Sequence, residues 1–314
     1  MAPIFLKPYL QTKIWGGKRL AEFNYDLPND KVGEAWVISG YRKQASVVDG
    51  GEFDGQSLRD VYQNNPALFG NPTEKEFPLL VKFLDAQDNL SIQVHPDDEY
   101  AERVEHDRGK TESWYVLDCP DDAEIIFGHH AKNKAELKKM IEDHDWQDLL
   151  GREKVKKGDF FYVPSGTIHA LTKGVMVIET QQSSDVTYRL YDYDRRDSDG
   201  NLRELHTQKA IDVIKTPYVK DQVEPVKKEI PGGVLTTLIE APQSPHFNLW
   251  QLDIDSEMDF PLTGYPYYLV SVIDGAGKMD QYDLHKGSNF ILPYGYPNPK
   301  FIGKLRLVIS TPGE

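Results

Sequence analysis

Three features are scarce in this 314-residue sequence: cysteine, long apolar runs and an excess of positive charge. The single cysteine, Cys119, cannot form a disulfide within the chain, and no segment approaches the length of a membrane span. The N-terminus lacks the basic and then apolar pattern of a secretion signal. A formal charge of −14 disfavours long contacts with nucleic-acid phosphates, which usually need a basic face. We therefore expect a cytoplasmic protein for which no membrane, nucleic-acid or protein partner is implied.

Short β-rich runs, bounded by Gly, Pro, Asp or Asn, are the commonest pattern in the sequence. The clearest are residues 79–84, 113–117, 160–163 and 175–178. Such runs favour an all-β sandwich or barrel. Helical spacing of apolar residues is found in four segments, residues 56–68, 97–106, 133–150 and 206–214. With 39% hydrophobic residues, the chain can bury one large or two medium cores.

An internal repeat refines this expectation. Residues 157–166, KGDFFYVPSG, match residues 286–295, KGSNFILPYG, at both Gly positions, a Phe and the Pro. A Lys-Gly turn, an apolar strand and a Pro-x-Gly turn are typical of double-sheet jelly rolls of the cupin kind, where a residue three positions later meets a ligand. That residue is His169 in the first copy and Asn298 in the second. We predict a mainly β, cupin-type jelly roll with two related β-units and a few helices.

The repeat also predicts two domains. Residues 1–228 would form a catalytic, metal-binding cupin domain with helical insertions, and residues 229–314 a second cupin-like β domain. Because Asn298 replaces a histidine, we expect this second domain to be free of metal.

Polar residues share one face of the strand predicted around residues 90–95. Gln93 and His95 are two positions apart, and Ser91 lies on the same face, whereas the residues between them are apolar and can pack on the core. One such pair is weak evidence for a ligand site, because a core histidine bonded to a carbonyl oxygen is the commoner explanation.

Further polar residues strengthen the case for a metal site. Lys110 and Glu112 again share a strand face, and His169 follows a turn and precedes another strand. With Gln93 and His95, these residues offer two imidazoles, a carboxylate and an amide oxygen. This donor set suits Zn²⁺, although Mn²⁺, Co²⁺ and Fe²⁺ also accept it. The ligands are too far apart in sequence for a local zinc finger, so the folded sheets must bring them together.

Six ordered segments of the chain resemble the type I mannose-6-phosphate isomerases, which are zinc enzymes of the cupin class. They are residues 14–17 (IWGG), 33–36 (GEAW), 91–96 (SIQVHP), 110–114 (KTESW), 164–170 (PSGTIHA) and 180–190 (TQQSSDVTYRL). The resemblance extends to about residue 200, and the C-terminal part is matched more weakly.

This resemblance implies a role for each residue of the site. It implies that one Zn²⁺ per chain is bound by Gln93, His95, Glu112 and His169. The other roles that it implies are catalysis by Arg189, a substrate pocket lined by Ser91, Lys110 and Asp185, and contact of Arg195 with the phosphate. Lys110 is also a candidate catalytic residue.

The substrate of such an enzyme is a small sugar phosphate, and the reaction interconverts mannose 6-phosphate and fructose 6-phosphate. Arg189 would stabilise the oxyanion that forms when a proton leaves carbon. Lys110, Glu112 or a metal-bound water could each be the base, and the sequence does not choose between them. Two other functions fit the ligands, a metal-dependent cupin dioxygenase and a non-catalytic sugar-binding cupin. Gln93 in place of a further histidine disfavours the first, and the complete ligand set disfavours the second.

Overall fold

The computed structural model describes residues 1–196 and 199–313. The strands in this part of the chain are β1 Ile4–Lys7, β2 Tyr9–Gly17, β3 Val32–Ser39, β4 Val47–Val48, β5 Leu79–Asp85, β6 Ile92–Val94, β7 Glu112–Asp118, β8 Glu124–His129, β9 Leu150–Lys154, β10 Phe160–Val163, β11 His169–Ala170, β12 Met176–Gln182, β13 Tyr188–Tyr191, β14 Val226–Ile230, β15 Gly233–Ile239, β16 Phe247–Ile254, β17 Glu257–Asp259, β18 Tyr268–Met279, β19 Tyr282–His285, β20 Asn289–Leu292 and β21 Lys300–Pro312. The α-helices are α1 Leu58–Asn64, α2 Asp98–Glu105, α3 Lys134–Glu142, α4 Trp146–Leu149 and α5 Thr207–Val213.

Antiparallel strands form three sheets. A six-stranded sheet has the order β10-β7-β12-β5-β3-β2, and a five-stranded sheet has the order β13-β6-β11-β8-β9. We call these two sheets together the N-terminal sandwich. The ten-stranded sheet, which we call the C-terminal sheet, has the order β14-β15-β16-β21-β18-β20-β1-β4, with β17 and β19 paired to its long strands. The prediction of a mainly β jelly-roll fold with a few helices is confirmed.

The six-stranded sheet is covered on both faces, and the side chains of β5 contribute to the packing on each face. Along β5, Val81 and Phe83 join a core shared with the C-terminal sheet. Leu84, on the other face, joins the core of the N-terminal sandwich, and Lys82 lies on that same face. Because side chains alternate along a strand, one strand supplies an apolar layer to one neighbour and a partly polar wall to the other.

The helices α3, α4 and α5 cover the outer face of the five-stranded sheet. Leu137, Leu149 and Ile211 pack there against Ile92 and Val94 of β6. Each of the four segments with helical spacing contains an observed helix, but residues 133–150 are divided. His144 adopts a left-handed φ of 56°, which ends α3 before α4 begins. None of the helices in the described residues is long and apolar enough to span a membrane.

The N-terminal strand belongs to the C-terminal sheet. β1 pairs with β20, with Ile4 opposite Ile291 and Phe5 opposite Phe290. The predicted boundary between residues 228 and 229 falls inside β14, which spans Val226–Ile230. Strand pairing therefore joins the two ends of the chain across that boundary, and the division into two domains stays a prediction.

Candidate active site

Three neighbouring strands of the five-stranded sheet align polar residues in one row. Gln93 of β6 is opposite His169 of β11 on one side and opposite Arg189 of β13 on the other. Residues directly opposite each other on antiparallel strands point to the same face, so these three side chains face the interior of the N-terminal sandwich. His95 follows β6 by one residue and is buried beside them.

Glu112, at the start of β7, faces this row from the six-stranded sheet. Its two carboxylate oxygens lie 3.3 Å from Nε2 of His95 and 3.3 Å from Nε2 of His169. All three side chains are buried, and their ligand atoms lie within 4.8 Å of one another. Among the described residues, this is the one group of three that could hold a metal ion.

Backbone carbonyl oxygens orient both imidazoles. Nδ1 of His95 lies 2.9 Å from the carbonyl oxygen of Val186, and Nδ1 of His169 lies 2.9 Å from that of Thr167. Each Nδ1 therefore donates its proton, and each Nε2 presents a lone pair towards Glu112. Burial lowers the pKa of His169, and burial together with Lys110 lowers the pKa of His95 to about 3. Both rings are thus neutral at pH 7, the form that binds metals.

Several buried polar atoms at this point lack a hydrogen bond among the described residues. They are Nε2 of His95 and both carboxylate oxygens of Glu112, one of which has an ion-pair contact with Nζ of Lys110 at 3.0 Å. Buried polar atoms are normally satisfied, so three that converge on one point fit a bound cation. The amide nitrogen of Gln93 lies 3.4 Å from Nε2 of His169. A half-turn of that amide would direct its oxygen to the same point.

Lys110 is buried next to Glu112. Its Nζ lies 3.0 Å from a carboxylate oxygen of Glu112. Burial lowers the pKa of Lys110, but Glu112, Glu179 and Asp185 together raise it by more, so the net pKa is above its usual value. Burial raises the pKa of Glu112, yet Lys110 holds it well below the ordinary range. In the metal-free site the pair is therefore an ion pair.

A cavity of about 260 Å³ opens beside these residues. Ser91, Lys110, Asp185 and Arg189, four of the predicted catalytic and substrate-binding residues, line it together with Gln93. The position of Arg189 agrees with the alternation expected for β13. Its neighbours Tyr188 and Leu190 are buried in the core on the opposite face.

Arg195 is the one predicted catalytic or substrate-binding residue that does not line this cavity. Its guanidinium contacts a carboxylate oxygen of Asp192 and the carbonyl oxygen of Asn89, and lies 5.2 Å from the ring centre of Tyr193. Arg203 lines the cavity instead. The assignment of Arg195 to the phosphate stays a prediction.

The sequence interpretation also missed a row of polar and aromatic residues across the six-stranded sheet. Trp36, Lys82, Glu179 and Trp114 are successive partners on β3, β5, β12 and β7. Nζ of Lys82 lies 3.5 Å from Glu179, whose other oxygen accepts from the indole of Trp114 at 2.9 Å. Burial raises the pKa of Glu179, and Glu112 raises it further. A lysine inside the apolar run of residues 79–84 was the available signal.

Comparisons with known proteins show the family of this chain. Residues 4–127 match the family model for the catalytic domain of type I phosphomannose isomerase. The chain is 44% identical over 98% of both lengths to the mannose-6-phosphate isomerase ManA of Bacillus subtilis strain 168. It is 45% identical over 99% of both lengths to the mannose-6-phosphate isomerase of Streptococcus mutans. A crystal structure of the mannose 6-phosphate isomerase from B. subtilis superposes with a TM-score of 0.95 at 42% identity, over 99% of this chain and 100% of that one. The chain therefore belongs to the type I mannose-6-phosphate isomerase family.

Proposed function

We propose that this chain interconverts mannose 6-phosphate and fructose 6-phosphate, with one Zn²⁺ bound by Gln93, His95, Glu112 and His169. The observation that carries the proposal is the convergence of two neutral imidazoles and a carboxylate on one buried point beside a cavity that contains Arg189. The choice of substrate is supported by relatives named mannose-6-phosphate isomerase, which are 44% and 45% identical to this chain over almost its whole length.

Zinc is supported by the chemistry of the donors. Two imidazole nitrogens and two oxygens suit a borderline divalent cation, and the carbonyl oxygens behind both rings fix them in the ligating orientation. A cation held there would act as a Lewis acid on substrate oxygens.

Arg189 and Lys110 are the proposed catalytic residues. Aldose–ketose isomerisation moves a proton between two adjacent carbons through an enediolate, and the guanidinium of Arg189 can stabilise its negative charge without giving up a proton. The pKa of Lys110 is raised only because carboxylates outweigh burial. When Glu112 engages another cation, burial acts against the charged lysine, which brings Lys110 closer to the range of a general base.

Ser91 and Asp185 are the proposed contacts to the sugar. Both line the cavity, and the Ser91 side chain is buried while Asp185 lies at the exposed end. A hydroxyl and a carboxylate can bind sugar hydroxyls as donor and acceptor. A cytoplasmic location, and the expectation of no nucleic-acid or protein partner, stay predictions of the sequence.

The test is a coupled assay of fructose 6-phosphate formed from mannose 6-phosphate. We expect activity in the zinc-loaded protein, loss of activity after treatment with a chelator, and recovery when Zn²⁺ is added back. Addition of Mn²⁺, Co²⁺ or Fe²⁺ to separate samples tests the choice of metal. A folded, zinc-loaded protein with no turnover would contradict the proposal.

A further inference from the structure

The cations in the cavity differ in how completely carboxylates neutralise them. Nζ of Lys13 lies 3.1 Å from Glu34, and Nζ of Lys82 lies between Glu34 and Glu179. Lys110 is paired with Glu112, and its proposed role as base places it at the reacting carbons and not at the phosphate. Lys13 and Lys82 are committed to ion pairs, and moving either of them to a ligand would leave a buried carboxylate unpaired.

The arginines at the other end of the cavity are less completely neutralised. The guanidinium of Arg189 donates to a neutral acceptor, the carbonyl oxygen of Glu204, at 2.8 Å. Its Nε is buried without a hydrogen-bond partner among the described residues. Burial lowers the pKa of Arg189, and the charge of Arg203, which lines the same cavity, lowers it further. Two cations held together beside a cavity attract an anion, because an anion relieves their repulsion.

One carboxylate, Asp192, holds two of the arginines here. Its Oδ2 accepts from Nε of Arg203 at 2.7 Å, and its Oδ1 accepts from Nη2 of both Arg203 and Arg195. Asp192 therefore fixes one edge of the Arg203 guanidinium. Within residues 1–196 and 199–313, no hydrogen bond is made by Nη1 of Arg203, so this edge of the forked guanidinium can donate to a ligand.

We propose that Arg203 binds the phosphate of the sugar phosphate, that Arg189 remains at the reacting carbons, and that Arg195 supports Asp192 from outside the cavity. This inference rests on the proposed function for the identity of the substrate. It places the phosphate beside Arg203, whereas Arg189 is the direct cross-strand neighbour of Gln93, one of the proposed metal ligands. A hexose 6-phosphate bound there would direct its sugar carbons towards the proposed metal ligands.

The test compares Arg203→Ala with Arg195→Ala, because both arginines are paired with Asp192 and the two variants separate the two assignments of the phosphate. Arg196→Ala, at an exposed arginine outside the cavity, is the control. Binding of inorganic phosphate to the zinc-loaded protein is measured by ³¹P NMR titration, and KM and kcat are measured with mannose 6-phosphate. We expect Arg203→Ala to weaken phosphate binding and to raise KM, each by about 10- to 100-fold, as for loss of a charge-assisted hydrogen bond. We expect Arg196→Ala to change both by less than about 3-fold, and Arg195→Ala to have a smaller effect than Arg203→Ala because it removes only a support of Asp192.

A second variant, Arg203→Lys, keeps the charge without the fork, and we expect phosphate binding between those of wild type and Arg203→Ala. Zinc content and thermal melting show whether each variant has folded. If Arg203→Ala has not folded, the phosphate binding of Arg203→Lys decides whether Arg203 contacts the phosphate. Unchanged phosphate binding in the folded Arg203 variants, or a larger loss in Arg195→Ala, would overturn the inference. If the wild type binds phosphate through Arg203 but does not isomerise mannose 6-phosphate, the proposed function fails while the phosphate site stands.

Discussion

The N-terminal sandwich and the C-terminal sheet use the same turns around strands β10 and β20. Gly158 and Gly287 precede them with φ values of 90° and 93°, and Gly166 and Gly295 follow with 83° and 76°. Only glycine adopts such angles without steric cost, which explains why these positions match in the repeat. The residue three positions later differs between the copies, because His169 is buried in the site while Asn298 is exposed.

The interiors of the two regions differ more than their turns. The core of the C-terminal sheet is apolar, with Trp250, Leu252, Val272, Leu307 and Ile309 among its buried members. The corresponding space in the N-terminal sandwich contains buried charged residues, namely Lys82, Lys110, Glu112 and Glu179. Burial of charge stabilises a fold poorly, whereas burial of apolar area stabilises it well. We infer that the apolar core of the C-terminal sheet stabilises the fold, whereas the interior of the N-terminal sandwich is used for the site.

Substitution of His169 and of Asn298, the residues three positions after each repeat, should give the largest difference between the two regions. We expect His169→Ala to lower kcat on the order of 10³-fold and to remove most of the bound zinc, because it deletes a proposed ligand. Asn298→Ala should leave activity and metal content close to those of wild type. The measurements are the coupled isomerase assay and metal analysis by mass spectrometry. A zinc-loaded, active His169→Ala protein would show that the ligand set is wrong.

The reverse pattern is expected for the apolar core. Leu252 is fully buried in the C-terminal sheet, and Leu252→Ala should lower the free energy of unfolding by about 3 kcal/mol. The folded variant should keep its kcat, since Leu252 belongs to the other core. Urea unfolding and the isomerase assay measure the two effects. The exposed Val226→Ala is the control, and a loss of kcat in folded Leu252→Ala would argue against separate roles for the two regions.

A smaller difference between the two regions should be seen in how their ion pairs contribute to stability at low pH. Burial raises the pKa of Glu34, but Lys13 and Lys82 lower it by more, to about 2. The unfolded chain has the ordinary value of 4.5, so the charged form stabilises the fold above that pH, and the contribution is lost as pH falls from about 4.5 to about 2. We expect charged Glu34 to contribute about 2 kcal/mol to the free energy of unfolding. This is less than the full pKa shift would give, because Lys13 is partly exposed to solvent.

The measurement is urea unfolding at pH 7 and at pH 3.5 for wild type and Glu34→Gln. The variant should lose less stability than wild type on acidification, because it lacks the titrating group. Glu257→Gln removes a carboxylate from an exposed pair with Lys300 and should lose as much stability as wild type. Equal acid sensitivity of wild type and Glu34→Gln would contradict the assigned role of this ion pair.

Much of the fold and the grouping of the site followed from local sequence patterns. Two-residue spacing places Gln93 with His95, and Lys110 with Glu112, and the strand and turn signals are local in the same way. The jelly-roll prediction and the family are confirmed. The structure also brings His95, Glu112 and His169 together, although the roles of the site residues stay predictions.

Other features depend on how distant strands meet, which the sequence alone does not specify. Arg195 and Arg203 are both basic residues after β13, and only the fold of that segment around Asp192 determines which one lines the cavity. The row containing Lys82 and Glu179 depends on the register of β5 and β12. The pairing of β1 with β20 joins residues almost 300 positions apart, as in Ile4 with Ile291, beyond the reach of any local pattern.

The most direct test of the central claim is anomalous diffraction at the zinc edge from crystals of the zinc-loaded protein. We expect one strong peak per chain at about 2.0 to 2.2 Å from Nε2 of His95, Nε2 of His169 and a carboxylate oxygen of Glu112, with the amide oxygen of Gln93 turned towards it. A peak in the C-terminal sheet, or none between these residues, would contradict the claim that the N-terminal sandwich holds the metal.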